Sequence, residues 1–194
     1  MNMRSVLAAA AAAWLALSAA AAAGPNAASG ASLYNLESKW ATQDGASVAL
    51  SSLAGKPVIL AMGYTTCKDI CPAVVANMMW IEKHLPPDAV GGVRFAFFSF
   101  DSEADTPERL RLYADGHGLD LASWTLLTGD DDAVRELAAA LDVPFRPNDQ
   151  NGFDHAAVIS LLDAKGEIVF QQRGAQASSD ELLAKLKSLI AVRN

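Results

Sequence analysis

Five consecutive apolar residues, Val58-Ile59-Leu60-Ala61-Met62, stop at Gly63, and two cysteines four positions apart, Cys67 and Cys71, follow at once with Pro72 behind them. No other feature constrains the chain as much. An unbroken apolar run of this length, entered through Lys56-Pro57, suits a strand buried on both faces, as in a parallel sheet covered by helices. Pro72 fits the first position of a helix and disfavours helical backbone at Cys71, so a helix is expected to begin just after the second cysteine. Val74, Met78, Ile81 and Leu85 recur at spacings of three and four, which gives that helix an apolar face, and Pro86-Pro87 stops it. The order is therefore buried strand, cysteine loop, helix.

The flanking segments extend this pattern. Leu36 to Leu53 reads as a short hairpin around Asp44-Gly45, with Ser47, Val48, Ala49 and Leu50 in its second arm. A second apolar strand runs from Val93 to Phe100, and Thr106-Pro107-Glu108 opens a helix towards Gly116 with threonine as cap and proline as first residue. Trp124 to Leu127 reads as a third strand, and Asp130 to Asp132 place carboxylates at the positive end of a helix reaching Leu141. Ala156 to Leu162 and Glu167 to Gln171, joined at Lys165-Gly166, form an antiparallel hairpin, and a last helix turns Leu182, Leu183, Leu186 and Ile190 inward. Strands alternating with helices and closing in a hairpin plus a helix describe an α/β fold of thioredoxin type, a central mixed sheet flanked by helices. A flavodoxin-like fold shares much of this order.

At the N-terminus a single positive charge, Arg4, precedes an alanine-rich apolar run from Val6 to Ala23, with small residues at Ala21 and Ala23 before Gly24-Pro25. This is the order of a secretory signal, so residues 1–23 are expected to be a signal peptide, with an uncleaved membrane anchor as the alternative. Residues 24–32 read as a flexible tether and residues 33–194 as a single domain. The expected location is outside the cytoplasm, in a periplasm, with the N-terminal segment as a tether if it is retained. The formal charge is −7 and the leader holds only Arg4, so the processed chain is still more acidic. Acidity of this size disfavours nucleic acid as a partner. A monomer meets every requirement of the sequence.

Cys67 and Cys71 are the chain's only cysteines. A thiol at a helix N-terminus is favoured as thiolate, and Lys68 adds a positive charge beside Cys67, so lowered thiol pKa values and an exposed site are expected. Thiolate is the nucleophile of disulfide exchange and also a ligand for soft metals. A structural bridge across so few residues would restrain little chain.

Gly63-Tyr64-Thr65 followed by Cys67-Lys68-Asp69-Ile70-Cys71-Pro72 resembles the signature of the Sco/SenC family, a glycine-tyrosine-threonine lead and a C-x3-C-P motif. Phe98 to Glu108 is similar to the family's strand, acidic loop and threonine-capped helix, and Asp154-His155 resembles its aspartate-histidine pair. Leu162 to Glu167 matches the following turn, and the likeness covers nearly all of the chain from Leu33 onward. Thr66 and Lys68 stand where members often carry histidine and proline, and Met62 where an aromatic is frequent. The resemblance implies a copper site formed by Cys67, Cys71 and His155, and a metallochaperone that builds the dinuclear copper centre of cytochrome c oxidase. It implies as partners that oxidase's copper-site subunit or another cuproprotein, with other copper chaperones or thiol-disulfide proteins beside it.

The rival expectation is a thiol-disulfide oxidoreductase in which Cys67 attacks and Cys71 resolves, acting on the oxidase's cysteines or on another exported protein. A copper or redox sensor is a third class. His84 and His117 are expected to be ordinary surface or core residues, and Met78 and Met79 to be packing residues. Asp154 either orients the His155 ring or caps its loop, and Asp101, Glu103 and Asp105 are expected to form a solvated acidic loop.

Overall fold

A computed structural model describes residues 32–149 and 152–191. The expected signal peptide, nearly all of the tether and the last three residues lie outside these. Among the described residues no helix is long and apolar enough to cross a membrane.

The chain order begins with β1 (Lys39–Thr42), β2 (Ser47–Ala49), β3 (Val58–Gly63) and α1 (Cys71–Lys83). It continues with β4 (Arg94–Ser99), α2 (Pro107–His117), β5 (Trp124–Gly129) and α3 (Asp131–Ala140). The last third holds β6 (Phe145–Pro147), β7 (Phe153–His155), β8 (Val158–Leu162), β9 (Ile168–Arg173) and α4 (Asp180–Ala191). Seven strands form one sheet in the order β2-β1-β5-β4-β3-β8-β9, while β6 and β7 pair separately. β3 lies between β4, which runs parallel to it, and β8, which runs antiparallel. The sheet is mixed and the arrangement is the thioredoxin-like α/β fold expected from the sequence.

The unbroken apolar run of β3 has the expected cause, since the strand is buried along its whole length. Ile59 and Ala61 pack with Phe95, Phe97, Trp124 and Leu126 beneath α1, α2 and α4. Val58, Leu60 and Met62 face the other way, towards α3 and the N-terminal residues Trp40, Leu50 and Leu53. Helix signals also act as read. Thr106 accepts the Arg109 amide at the start of α2 and Asp130 accepts the Ala133 amide at the start of α3, caps that contribute about 1 kcal/mol each.

Two features differ from the sequence reading. The helix behind the cysteines begins at Cys71 itself, with Pro72 second and Ile70 as an N-cap that offers no side-chain bond. The first turn closes one residue early because the Cys71 amide donates to Cys67 Sγ at 3.4 Å and the Val74 amide to the Ile70 carbonyl at 3.0 Å. The second is the β6–β7 pair, which pairs Phe145 with His155, Arg146 with Asp154 and Pro147 with Phe153. Strands this short, one of them holding a proline, carry no readable alternation. The Arg146–Asp154 ion pair, 2.9 Å, and an Asn148 side-chain bond to Asp154 at 3.2 Å hold them together.

Candidate metal centre

The topology explains why distant residues meet. β3 and β8 are antiparallel neighbours with Ala61 opposite Ile159, so the exit of β3, where the cysteine loop starts, lies beside the entrance of β8. β7 ends there in His155, and the ligand atoms of Cys67, Cys71 and His155 all lie within 4.8 Å of one another. Cys71 Sγ is 3.2 Å from His155 Nε2, and both cysteines are free thiols. His155 Nδ1 lies 3.1 Å from the Ala156 carbonyl oxygen. A carbonyl can only accept, so Nδ1 carries the proton and Nε2 presents a lone pair to the Cys71 S–H. Two sulfurs and an unprotonated imidazole nitrogen make a soft donor set, suited to Cu(I) or another thiophilic ion.

Close packing fixes the walls. A Cβ on Gly63 would stand 2.8 Å from the Phe97 ring and 3.0 Å from Cys71 Sγ, so only glycine lets the end of β3 approach both. The Tyr64 hydroxyl donates to the Phe153 carbonyl at 3.5 Å, a long bond, and its ring meets that of His155 edge-on. The Phe100 ring also lies against His155, with centroids 4.9 Å apart, and stacks on Phe145. The imidazole therefore sits among aromatic rings with one edge directed at the cysteines.

The model of the SCO1/SenC family matches residues 27–191. This chain belongs to that family. A SCO1 protein homolog from Bacillus subtilis is 28% identical over 150 residues, spanning 75% of this chain and 77% of that one. The copper-bound structure of ScoI from Bradyrhizobium japonicum is similar with a TM-score of 0.63 and 26% identity, over 78% of this chain and 96% of that one. The structure of BsSco, described as having a disulfide switch and as a member of the Sco family of cytochrome c oxidase assembly proteins, gives 0.69 and 26%. It covers 79% of this chain and 91% of that one.

Within this SCO1/SenC chain several expectations need correction. The expected exposure holds for Thr66, Lys68 and Asp69 of the cysteine loop but not for Cys71, whose thiol pKa is raised and not lowered. Cys71 is 1% exposed, and burial, reinforced by the neighbouring Cys67 sulfur, pushes its thiol far up from the ordinary value. A hydrogen bond with the Tyr64 backbone pulls the other way, but removal from water outweighs it. Cys67 is half-buried and Lys68 is exposed. Burial likewise lowers the pKa of His155, against a smaller opposite effect of its bond to Ala156. Asp154 does not orient the His155 ring, because it is engaged by Arg146 and Asn148 on the far side of the strand pair. Those partners hold its carboxyl below the usual range.

Asp105 is the residue sequence reasoning placed wrongly. Instead of sharing a solvated acidic loop with Asp101 and Glu103, it is fully buried. It accepts the Thr65 amide at 2.9 Å, the Thr65 hydroxyl at 2.5 Å and the Ser99 hydroxyl at 2.6 Å. A threonine two residues before the first cysteine, and an aspartate just before a Thr-Pro helix start, were the available signals; only the fold joins them. His84 and His117 lie outside the site, each with Nδ1 near the carbonyl four residues back. Met78 is completely buried and Met79 packs against the same core.

Proposed function

We propose that this SCO1/SenC protein holds one copper ion through Cys67 Sγ, Cys71 Sγ and His155 Nε2 and passes it to a cuproprotein, the copper-site subunit of cytochrome c oxidase being the recipient we favour. The observation that carries the reading is the convergence of exactly these three donors, with Nε2 directed at the Cys71 sulfur. The copper-bound relative and the description of BsSco support it. Thiolates suit Cu(I) and imidazole serves both oxidation states, so the trio tolerates a change of charge on its cargo.

The unequal burial of the donors gives the handover an order. Cys67 is the accessible ligand and yields first to an incoming thiolate of the recipient. Cys71, at 1% exposure, and His155, in contact with the rings of Tyr64 and Phe100, retain their hold until the recipient has engaged. The work is done in the periplasm, where the leader-like residues 1–23 would direct the chain.

Binding must displace the Cys71 proton, because burial keeps that thiol protonated far above neutrality. His155, with its pKa lowered, is already neutral and adds no proton to the balance above the ordinary imidazole range. Raising the pH therefore favours loading. Cu(I) affinity is expected to climb at least about tenfold per pH unit between about pH 7 and 9. Affinity independent of pH in that window would contradict Cys71 as a thiolate ligand.

The second reading, a thiol-disulfide oxidoreductase, draws on the accessible Cys67 sulfur, which accepts the Cys71 amide, and on the buried Cys71 behind it as resolving thiol. The experiment that separates the two is competition for Cu(I) by a chelator, with the reduced parent and His155→Ala, after counting free thiols. Tight binding of one copper, weakened at least about tenfold by the substitution, or about 1.4 kcal/mol, upholds the copper site. Weak binding with no effect of His155, alongside ready cycling of the cysteines with a thiol partner, replaces it with the oxidoreductase.

A further inference from the structure

The two halves of the site come from segments far apart in sequence, the cysteine loop and β7, and one short loop touches both. Residues 100–106, between β4 and α2, begin with Phe100, whose amide donates to the Gly63 carbonyl at 2.7 Å and whose ring lies against His155. They end with Asp105, bound to Thr65 at both its amide and its hydroxyl. The loop is itself braced. The Asp105 amide donates to the Asp101 carbonyl at 2.9 Å, the Asp101 amide to Ser99 Oγ at 3.0 Å, and the Ala104 amide to the Asp101 carboxylate at 3.0 Å.

We propose that Asp105 is the positioning residue of the copper site, a buried carboxylate that clamps Thr65 and so sets where the Cys67 sulfur stands relative to Cys71 and His155. It touches none of the three donors and acts through Thr65. A carboxylate buried this completely requires such donors, and two of its three bonds go to the residue that opens the cysteine loop. From Thr65 the chain has only Thr66 before Cys67, and the Cys67 amide donates back to the Tyr64 carbonyl at 3.3 Å. Movement at Thr65 is therefore passed on to the sulfur. A group hydrogen-bonded directly to a metal ligand is commonly worth about 10–100-fold in affinity, and Asp105, one step further back through Thr65, is expected at the lower end of that range.

The proposal rests on the copper reading and is tested with Asp105→Ala, Asp105→Asn, Thr65→Val and Glu82→Ala, in Cu(I) competition and in apo-protein melting. Asparagine can present its oxygen to the Thr65 amide and Ser99 and its NH2 to Thr65 Oγ1, so it restores the clamp without the charge. Glu82, which accepts from Ser123 Oγ and Trp124 Nε1, supplies a loss of structural hydrogen bonds remote from the cysteines. The expected result is at least about a tenfold loss of affinity for Asp105→Ala, recovery of most of it in Asp105→Asn, and a smaller loss for Thr65→Val, which retains the amide bond. Glu82→Ala is expected to melt earlier and bind copper as the parent does. If Asp105→Ala fails to fold, Thr65→Val against the parent decides.

Affinities of Asp105→Ala and Thr65→Val within about twofold of the parent, or an equal loss in Glu82→Ala, would overturn the proposal. If the parent itself binds no copper, the copper reading fails. The positioning role is then decided by equilibrium with glutathione disulfide, in which Cys67 and Cys71 give up two electrons and two protons, forming their disulfide and two glutathione thiols. An equilibrium shifted in Asp105→Ala and restored in Asp105→Asn upholds the role; an unchanged one ends it.

Discussion

Cys71→Ser is expected to lower Cu(I) affinity by more than about 100-fold, the largest effect of any single change at the site. Loss of a group merely supporting a ligand costs up to about 100-fold, and this substitution removes the ligand itself. A serine oxygen is a hard donor that keeps its proton near neutral pH, so it replaces neither the softness nor the charge of the thiolate. It does retain an O–H to face His155 Nε2, where the Cys71 sulfur stands at 3.2 Å. The fold is therefore expected to survive with a melting temperature close to that of the parent. Cys67→Ser leaves the Cys71–His155 pair in place and is expected to bind weakly but measurably. Chelator competition beside a melting curve checks both; a Cys71→Ser protein binding within tenfold of the parent would remove Cys71 from the ligand set.

Phe97→Ala is expected to lower stability by about 3–5 kcal/mol, with little direct effect on the donors. Phe97 is completely buried, stacks on Tyr113 at 5.7 Å, and covers Gly63 so closely that a Cβ there would meet its ring. Removing the ring leaves a cavity among β3, β4 and the helices over them, and such a cavity adds to the lost burial because the surroundings relax only in part. For a domain of this size the melting temperature is expected to fall on the order of 10 °C, at about 2–4 °C per kcal/mol. Copper affinity of the folded fraction is expected to stay within tenfold of the parent. The two variants thus separate what holds the fold from what holds the metal, and a Phe97→Ala protein as stable as the parent would show that the layer behind Gly63 bears little of the core.

The elements legible in the sequence are those whose signals are local. The apolar run of β3 reflects burial on two faces, the spacing of Val74, Met78 and Ile81 reflects one face of a helix, and Thr106-Pro107 and Asp130 mark helix starts through their own side chains and backbone. Cys67 and Cys71 could be paired by eye because they are separated by less than one loop. His155, 84 residues from Cys71, entered through the likeness to a family and through its place just before a core strand, since no local pattern joins it to the cysteines.

What tertiary structure alone decided is how distant residues share one environment. The antiparallel pairing of β3 with β8 brings His155 to the cysteines. Water is excluded from Cys71 by segments that no local pattern connects to it, and so the thiol rises where a helix terminus by itself would lower it. Asp105 looks like any acid in a charged loop until the ends of β3 and β4 are set side by side and Thr65 and Ser99 converge on it. By itself the sequence determined most of the strands and helices, β6 and β7 apart, and which side chains can bind a soft metal, since those follow from local backbone preference and side-chain chemistry. Burial and long-range partners arise only when the sheet closes, and they decided how strongly each proton is held and which carboxylate serves the site.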